Sequence, residues 1–492
     1  MRRLNHALPA VLAILFPLLA VPVARGEGVE LPVDAELDTN KVSIQLRSGR
    51  IEVVLDPAEE PQLQIEDLER GADTEGFVTI DRAENTLTIT QPHGEESVAP
   101  RLSIRITARP GLVLTINGES LDVTVEGRVE PDPAKSPNES AMFDEAAIAP
   151  AAAQLRITVD DSDVRITRAT GASLGGRGSR FTVEECSGPV IADLISSRLA
   201  ANRHHGLVRF KGDGADVEVS ELDGALRFTM DGGTLTVSGG RGTMQGEAVS
   251  ANVALEGWQG TVQLSGVSSR LEARRSGPEN ALLFFRGEST DVIVEDLPGG
   301  LSAEIQGGSL SAKGLTGRAK VIARDGAEVE IDGVKDALDL TLEDSSNAKV
   351  KAIGRGTTLK LDQSAFAAEG LDTFDAKASG GKISVGGVTG KAELKANDTD
   401  IDLRVLTRGM HPQVTLDGRA AMRLVLPSPC LVMTEGVEES GAPPPGISAS
   451  GCEIAPKGTS RLQATRSSVR AGTTYVEAKV SGNAQLAVSA TP

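Results

Sequence analysis

ALRFTMDGGTLTVSGGRG, residues 225–242, holds two short alternating apolar runs around a Gly-Gly turn and stops on glycine. Nearly the same phrase precedes it and follows it. Aligning the chain on the first inward residue of each phrase gives the series Leu155, Ala172, Val190, Val208, Leu226, Met244, Val262, Leu283, Leu301, Ala319, Leu338, Thr357, Phe374 and Ala392. The steps are mostly 18 residues, with a few of 17 or 19 and one of 21. A second apolar pair follows nine or ten residues later in most phrases, as in Leu235 and Val237, Val253 and Leu255, or Val292 and Val294. Self-similarity at a fixed short period, with period-two alternation inside each unit, is the signature of a stacked β architecture.

Glycine closes the phrases at 171, 188, 206, 224, 242, 260, 277, 299, 317, 354, 390 and 409, and is read here as a corner residue at positive φ. Stepping six residues from Leu226 lands on Gly232 and Ser238, which rejects a hexapeptide rule. The expected fold is all-β, a parallel β-solenoid (β-helix) with rungs of about 18 residues and two main strands per rung, of either hand. Fourteen rungs at about 4.8 Å each make a rod of about 65 Å. No rung buries its apolar pairs alone, so stacking supplies the core and the ends need caps. Aromatics are only 2% of the 492 residues while glycine reaches 54, which suits a thin, turn-rich core.

Residues 1–26 carry Arg2 and Arg3, the apolar run ALPAVLAILFPLLAVPV and then Ala24-Arg25-Gly26, a secretory signal pattern. Export to the periplasm or beyond is therefore expected. The formal charge of −19 becomes more negative once such a segment is removed, because it holds arginines and no acid. That balance argues against nucleic acid and other polyanions as partners. No later run is long and apolar enough to suggest a transmembrane segment in the mature chain. Of the cysteines, Cys430 and Cys452 flank the loop EGVEESGAPPPGISAS, and in an oxidising compartment a disulfide is expected to close it. Cys186 is left over beside Glu184 and Glu185 and has no cation to activate it.

Residues 27–128 use the same β grammar with looser spacing, and here the sequence resembles a known family. Ser48-Gly49-Arg50-Ile51-Glu52-Val53, Asn85-Thr86-Leu87-Thr88-Ile89, Pro110-Gly111, Asn117-Gly118 and Val123-Thr124-Val125-Glu126-Gly127 are similar to the bacterial putative-adhesin family of β-solenoids, which includes auto-transporter adhesin head-like domains. The resemblance implies an exported, non-enzymatic module. The chain divides into five segments: a signal peptide at 1–26, an adhesin-like β-rich region at 27–128, a Pro/Ala-rich acidic linker or loop at 129–152, the repeat body at 153–409, and a β cap with the Cys-bracketed loop at 410–492, the third and the last being departures from the family's pattern.

Catalytic motifs are weak. Gly171-Ala172-Ser173-Leu174-Gly175 matches G-x-S-x-G, but Ala172 and Leu174 are an inward pair and no strand-to-helix elbow is present. Acidic runs such as Asp160-Asp161-Ser162-Asp163 lack calcium-loop spacing, so no metal and no cofactor is expected. The outward row of the second strands, Glu218, Thr236, Ala254, Glu272, Ile293, Ser311, Glu330, Lys349, Ala367, Ser384 and Asp402, gathers no acid pair for glycoside chemistry. The more informative constellation stacks His204, Leu222, Gly240 and Trp258 in one corner column and His205, Asp223, Arg241 and Gln259 beside it, with Arg274 and Arg275 one turn on in the enlarged loop RRSGPEN. Trp, His and Arg exposed on an acidic rod would suit a carbohydrate or protein ligand. The expected function is a structural or adhesion-like binding module at the cell envelope, and the alternative is a carbohydrate-active β-helix enzyme, a polysaccharide lyase or hydrolase.

Overall fold

The computed structural model describes residues 33–37, 39–67, 78–83, 85–91, 101–128, 154–435, 444–456 and 473–491. The signal pattern at 1–26 and the linker at 129–152 lie outside them. The described residues form strands that stack in parallel, about 18 residues apart, into a β-solenoid. The inward series runs in register as read: Ala172 on Val190, Val208, Leu226, Met244, and later Leu283 on Leu301, Ala319, Leu338, Thr357, Phe374 and Ala392. Each rung contributes one strand to a first face and one to a second. In rungs such as Asp223–Ser238 a single strand bends through both faces.

Within ALRFTMDGGTLTVSGGRG, Leu226, Phe228, Met230, Leu235 and Val237 are all buried while Arg227, Thr229, Thr234 and Thr236 point outward. The core is thin, so large side chains need small neighbours on adjacent rungs. Phe210 and Phe228 stack with ring centroids 5.6 Å apart. The next residue in their row is Gly246, where a Cβ would lie 2.1 Å from the Phe228 ring.

Both corners are built from left-handed residues. Between the two strands of a rung stand Asp161, Gly178, Ser196, Gly214, Gly232, Ser250, Ser268, Ser289 and Gly307, each at φ between 47° and 73°. Beside this row runs a buried ladder of small hydroxyls that the apolar pattern did not announce. The Ser162 amide donates to Ser179 Oγ at 3.2 Å, the Ser179 amide to Ser197 Oγ at 3.1 Å, and the Ser269 amide to Thr290 Oγ1 at 3.4 Å. Each hydroxyl in turn donates to a carbonyl two residues back, as Ser197 does to Ile195 at 2.8 Å. Backbone groups freed by the corner are thereby satisfied inside the rod.

The closing glycines divide into two kinds. Gly206, Gly224, Gly242 and Gly260 have φ of 135°, 152°, 125° and 139°, a region essentially reserved for glycine, and each packs against the carbonyl of the glycine one rung earlier. Gly299, Gly317, Gly354 and Gly390 are not at positive φ, which corrects their reading as left-handed corners. They are required by proximity: an added Cβ would sit 2.1 Å from Pro278 O at Gly299 and 2.3 Å from Lys335 O at Gly354.

At the ends the stacking order departs from the chain order. Lys41–Leu46 lies between Thr86–Thr90 and Val113–Glu119, and Gly49–Leu55 lies between Leu102–Ala108 and Leu121–Gly127. The far end mirrors this. Thr474–Val480 is inserted between Gln413–Asp417 and Cys430–Thr434, and Gln485–Thr491 between Ala421–Pro427 and Ile447–Ser450. The first end is closed by antiparallel strands, Thr79–Ala83 on Thr86–Thr90 and Gln62–Asp67 on Leu102–Ala108. Cys430 and Cys452 form a disulfide in the outermost turn of the other end, with Cα atoms 4.8 Å apart.

Candidate functional site

The corner column runs Cys186, His204, Leu222, Gly240, Trp258, and it points into the rod. His204 and Trp258 are both 0% exposed, which corrects their reading as surface contact residues. The physical reason is visible in the later rungs, where the same column holds Leu315, Val334, Ile353, Leu371 and Val388, all buried. Gly240 makes room for the indole, since a Cβ there would lie 3.0 Å from Trp258 Cζ3. His204 Nε2 is 2.8 Å from the Gly188 carbonyl, while its Nδ1 and Trp258 Nε1 are buried without hydrogen-bond partners. Burial pushes the His204 imidazole down to about 4, so it is neutral at neutral pH. Burial likewise pushes the Cys186 thiol up to about 11, as an inert core residue requires.

The neighbouring column does face solvent, and its register is His205 on Asp223, Arg241 and Gln259. Arg241 grips Asp223 with two hydrogen bonds of 2.8 and 2.6 Å, and His205 Nδ1 stands 3.6 Å from the same carboxylate. The Arg241 hydrogen bonds hold the Asp223 carboxyl below the usual carboxylate range. One turn on, Arg274 bonds Glu272 at 2.6 Å and Glu295 at 3.3 Å, and Arg275 pairs with Glu256. The structure thus brings His205, Asp223, Arg241 and Gln259 together, but as a ladder whose charges are spent on one another.

The outward row of the second face is aligned from Glu218 to Asp402 and continues to Arg423. Over its later half this face is hollowed. A depression of about 560 Å³ spans the turns from Ser309 and Ser311 to Lys382 and Ser384. A second, of about 650 Å³, continues from Lys382 through Asp400, Asp402 and Arg423 to Ser448. Both are lined by Lys382, and they follow one another along the rod axis as an axial groove in two parts. Along the outward row that both share, the short side chains Ala367 and Ser384 lie between the charged residues Glu330 and Lys349 before them and Asp402 and Arg423 after them.

The exposed aromatic that the sequence placed at Trp258 stands elsewhere. Phe284, on the first face in strand Leu282–Glu295, is 45% exposed. It is the first ring of a doublet, Phe284-Phe285, and with Leu283 inward in the repeat series alternation puts Phe285 inside and Phe284 outside, as the stacking has them.

No family model matches the chain, and no curated protein matches it. Among solved structures it is similar to a putative adhesin from Bacteroides fragilis NCTC 9343, with 13% identity over 71% of this chain and 97% of that one and a TM-score of 0.16. A likeness of that size carries no argument, and the fold stands on the strand register described above.

Proposed function

We propose that the chain is an exported, adhesion-like binding module, a rod that holds an extended polar ligand of the cell envelope along its side without turning it over. The observation that carries this reading is the axial groove of the second face, from Ser309 to Ser448. A β-solenoid repeats its backbone about every 4.8 Å along the rod, so outward side chains form straight rows suited to a ligand that is itself a linear polymer. The short residues Ala367 and Ser384 let the ligand approach, and the carboxylates and cations before and after them in the row supply orienting contacts. Export rests on the pattern of residues 1–26, and the resemblance at residues 48–127 agrees with an envelope role.

Filling the groove tests the reading. Ser384→Arg places a long side chain in the groove without touching the core, since Ser384 points outward from strand Phe374–Val388. Retention of the protein on isolated envelope polysaccharide is expected to fall about tenfold with the unfolding temperature unchanged. Undiminished retention would remove the groove as the contact.

A further inference from the structure

Phe284 does not stand alone. Strand register places Gln245, Gln263, Phe284 and Ser302 in one outward row of the first face, and Glu247, Ser265, Arg286 and Glu304 in the next. Phe284 and Arg286 are both exposed and lie on the same face of one strand, with Gln263 and Ser265 one rung below and Ser302 and Glu304 one rung above. Two of these neighbours are already oriented. Arg324 holds Glu304 at 2.6 Å, and Arg227 donates to Gln245 at 3.2 Å. Glu304 pairs with Arg324, and among the described residues no ion pair involves Arg286. The rung before this strand is the one enlarged by the loop Arg275–Ala281, which sets exposed Glu279 and Asn280 beside the start of the strand.

From this geometry we infer that Phe284 and Arg286 form a glycan-binding platform on the first face, with Gln263, Ser265 and Ser302 as its hydroxyl-binding rim. The chemistry of the set selects the ligand. A pyranose has one face rich in C–H bonds and a rim of hydroxyls. A flat exposed ring covers the first, while planar amide and guanidinium groups and serine hydroxyls on adjoining rungs bond the second. A protein interface would need a contiguous apolar centre around the ring, whereas the cross-strand partners of Phe284 are Gln263 and Ser302, and on its own strand it stands between half-buried Leu282 and exposed Arg286. The platform lies on the face opposite in role to the groove, so it is a site apart from the one proposed above.

The test is titration of the full chain with soluble unbranched polysaccharides: a neutral glucan, a mannan, a xylan and a uronate polymer. The unsubstituted protein is expected to bind at least one of them. Phe284→Ala and Arg286→Ala are each expected to weaken that binding about tenfold, and Phe284→Tyr to keep it within about threefold because the ring face is retained. Unchanged unfolding temperatures in all three variants show that the rod is intact. Ser384→Arg, in the groove, is titrated beside them, and Arg180→Ala, exposed and outside both sites, is expected to leave this binding as it is. Binding that survives Phe284→Ala, that is lost equally in Phe284→Tyr, or that is absent for all four polymers overturns the platform. Loss confined to Ser384→Arg does so too, while leaving the groove reading in place.

Discussion

Two glycines a few residues apart in the same rung separate two ways in which a residue type is dictated. Gly239 is left-handed at φ 68° with nothing within 4 Å of where a Cβ would stand. Gly242 is at φ 125°, and its Cβ would lie 1.9 Å from the Gly224 carbonyl oxygen. Gly239→Ala is expected to cost about 1 kcal/mol, the usual charge for an alanine in the left-handed region. Gly242→Ala adds a backbone collision that no side-chain rotation relieves, and should cost at least about 3 kcal/mol or prevent folding. Chemical unfolding of the two variants checks this, and equal losses would contradict the tight rung contact. The same scale shows where residue reading went astray. The corner column could be aligned from spacing, but its direction could not be told from His204, Gly240 and Trp258 alone. The apolar residues further along that column, Leu315, Val334, Ile353 and Leu371, were the available signal.

Strands and corners within the repeat body were legible because one period governs them. A rung whose inward pair is fixed by alternation passes its register to the next, and the series from Ala172 to Ala392 stacks as the spacing requires. The serine and threonine ladder at the corner was not legible, since Ser162, Ser179 and Ser269 look like ordinary turn residues until their burial is known. Strand order at the ends was also hidden. Every turn has the same width and the same alternation, so nothing in a strand's own sequence says whether it stacks before or after its chain neighbour. The inserted order has a consequence. Removing residues 473–491 takes away the turn that joins Cys430–Thr434 and Ile447–Ser450 to the rest of the rod. Limited proteolysis of that truncated chain is expected to cleave throughout 430–456 while the body up to Pro427 stays resistant. Continued protection of 430–456 would contradict the order.

For the whole molecule, the division of labour is between an interior that repeats and a surface that does not. Inward rows must match their neighbours in size, as Phe228 does with Gly246, and so they carry little freedom for function. Outward rows obey only charge and solubility. Many of them alternate in sign, as in Arg168, Glu185 and Arg203, where the pairs are 3.4 and 2.6 Å apart. Such exposed pairs contribute about 0–1 kcal/mol each, but they neutralise long stretches of the rod and leave the groove and the Phe284 platform as its distinctive surfaces. A formal charge of −19 favours neutral or mixed-charge polymers over strong polyanions. The most direct test of the account is to incubate the purified chain with envelope polysaccharide and follow retention and chain cleavage in the same sample. Retention with no new reducing or unsaturated chain ends is the predicted result. Release of such ends would make the rod a β-helix enzyme, and the binding-module account would fail.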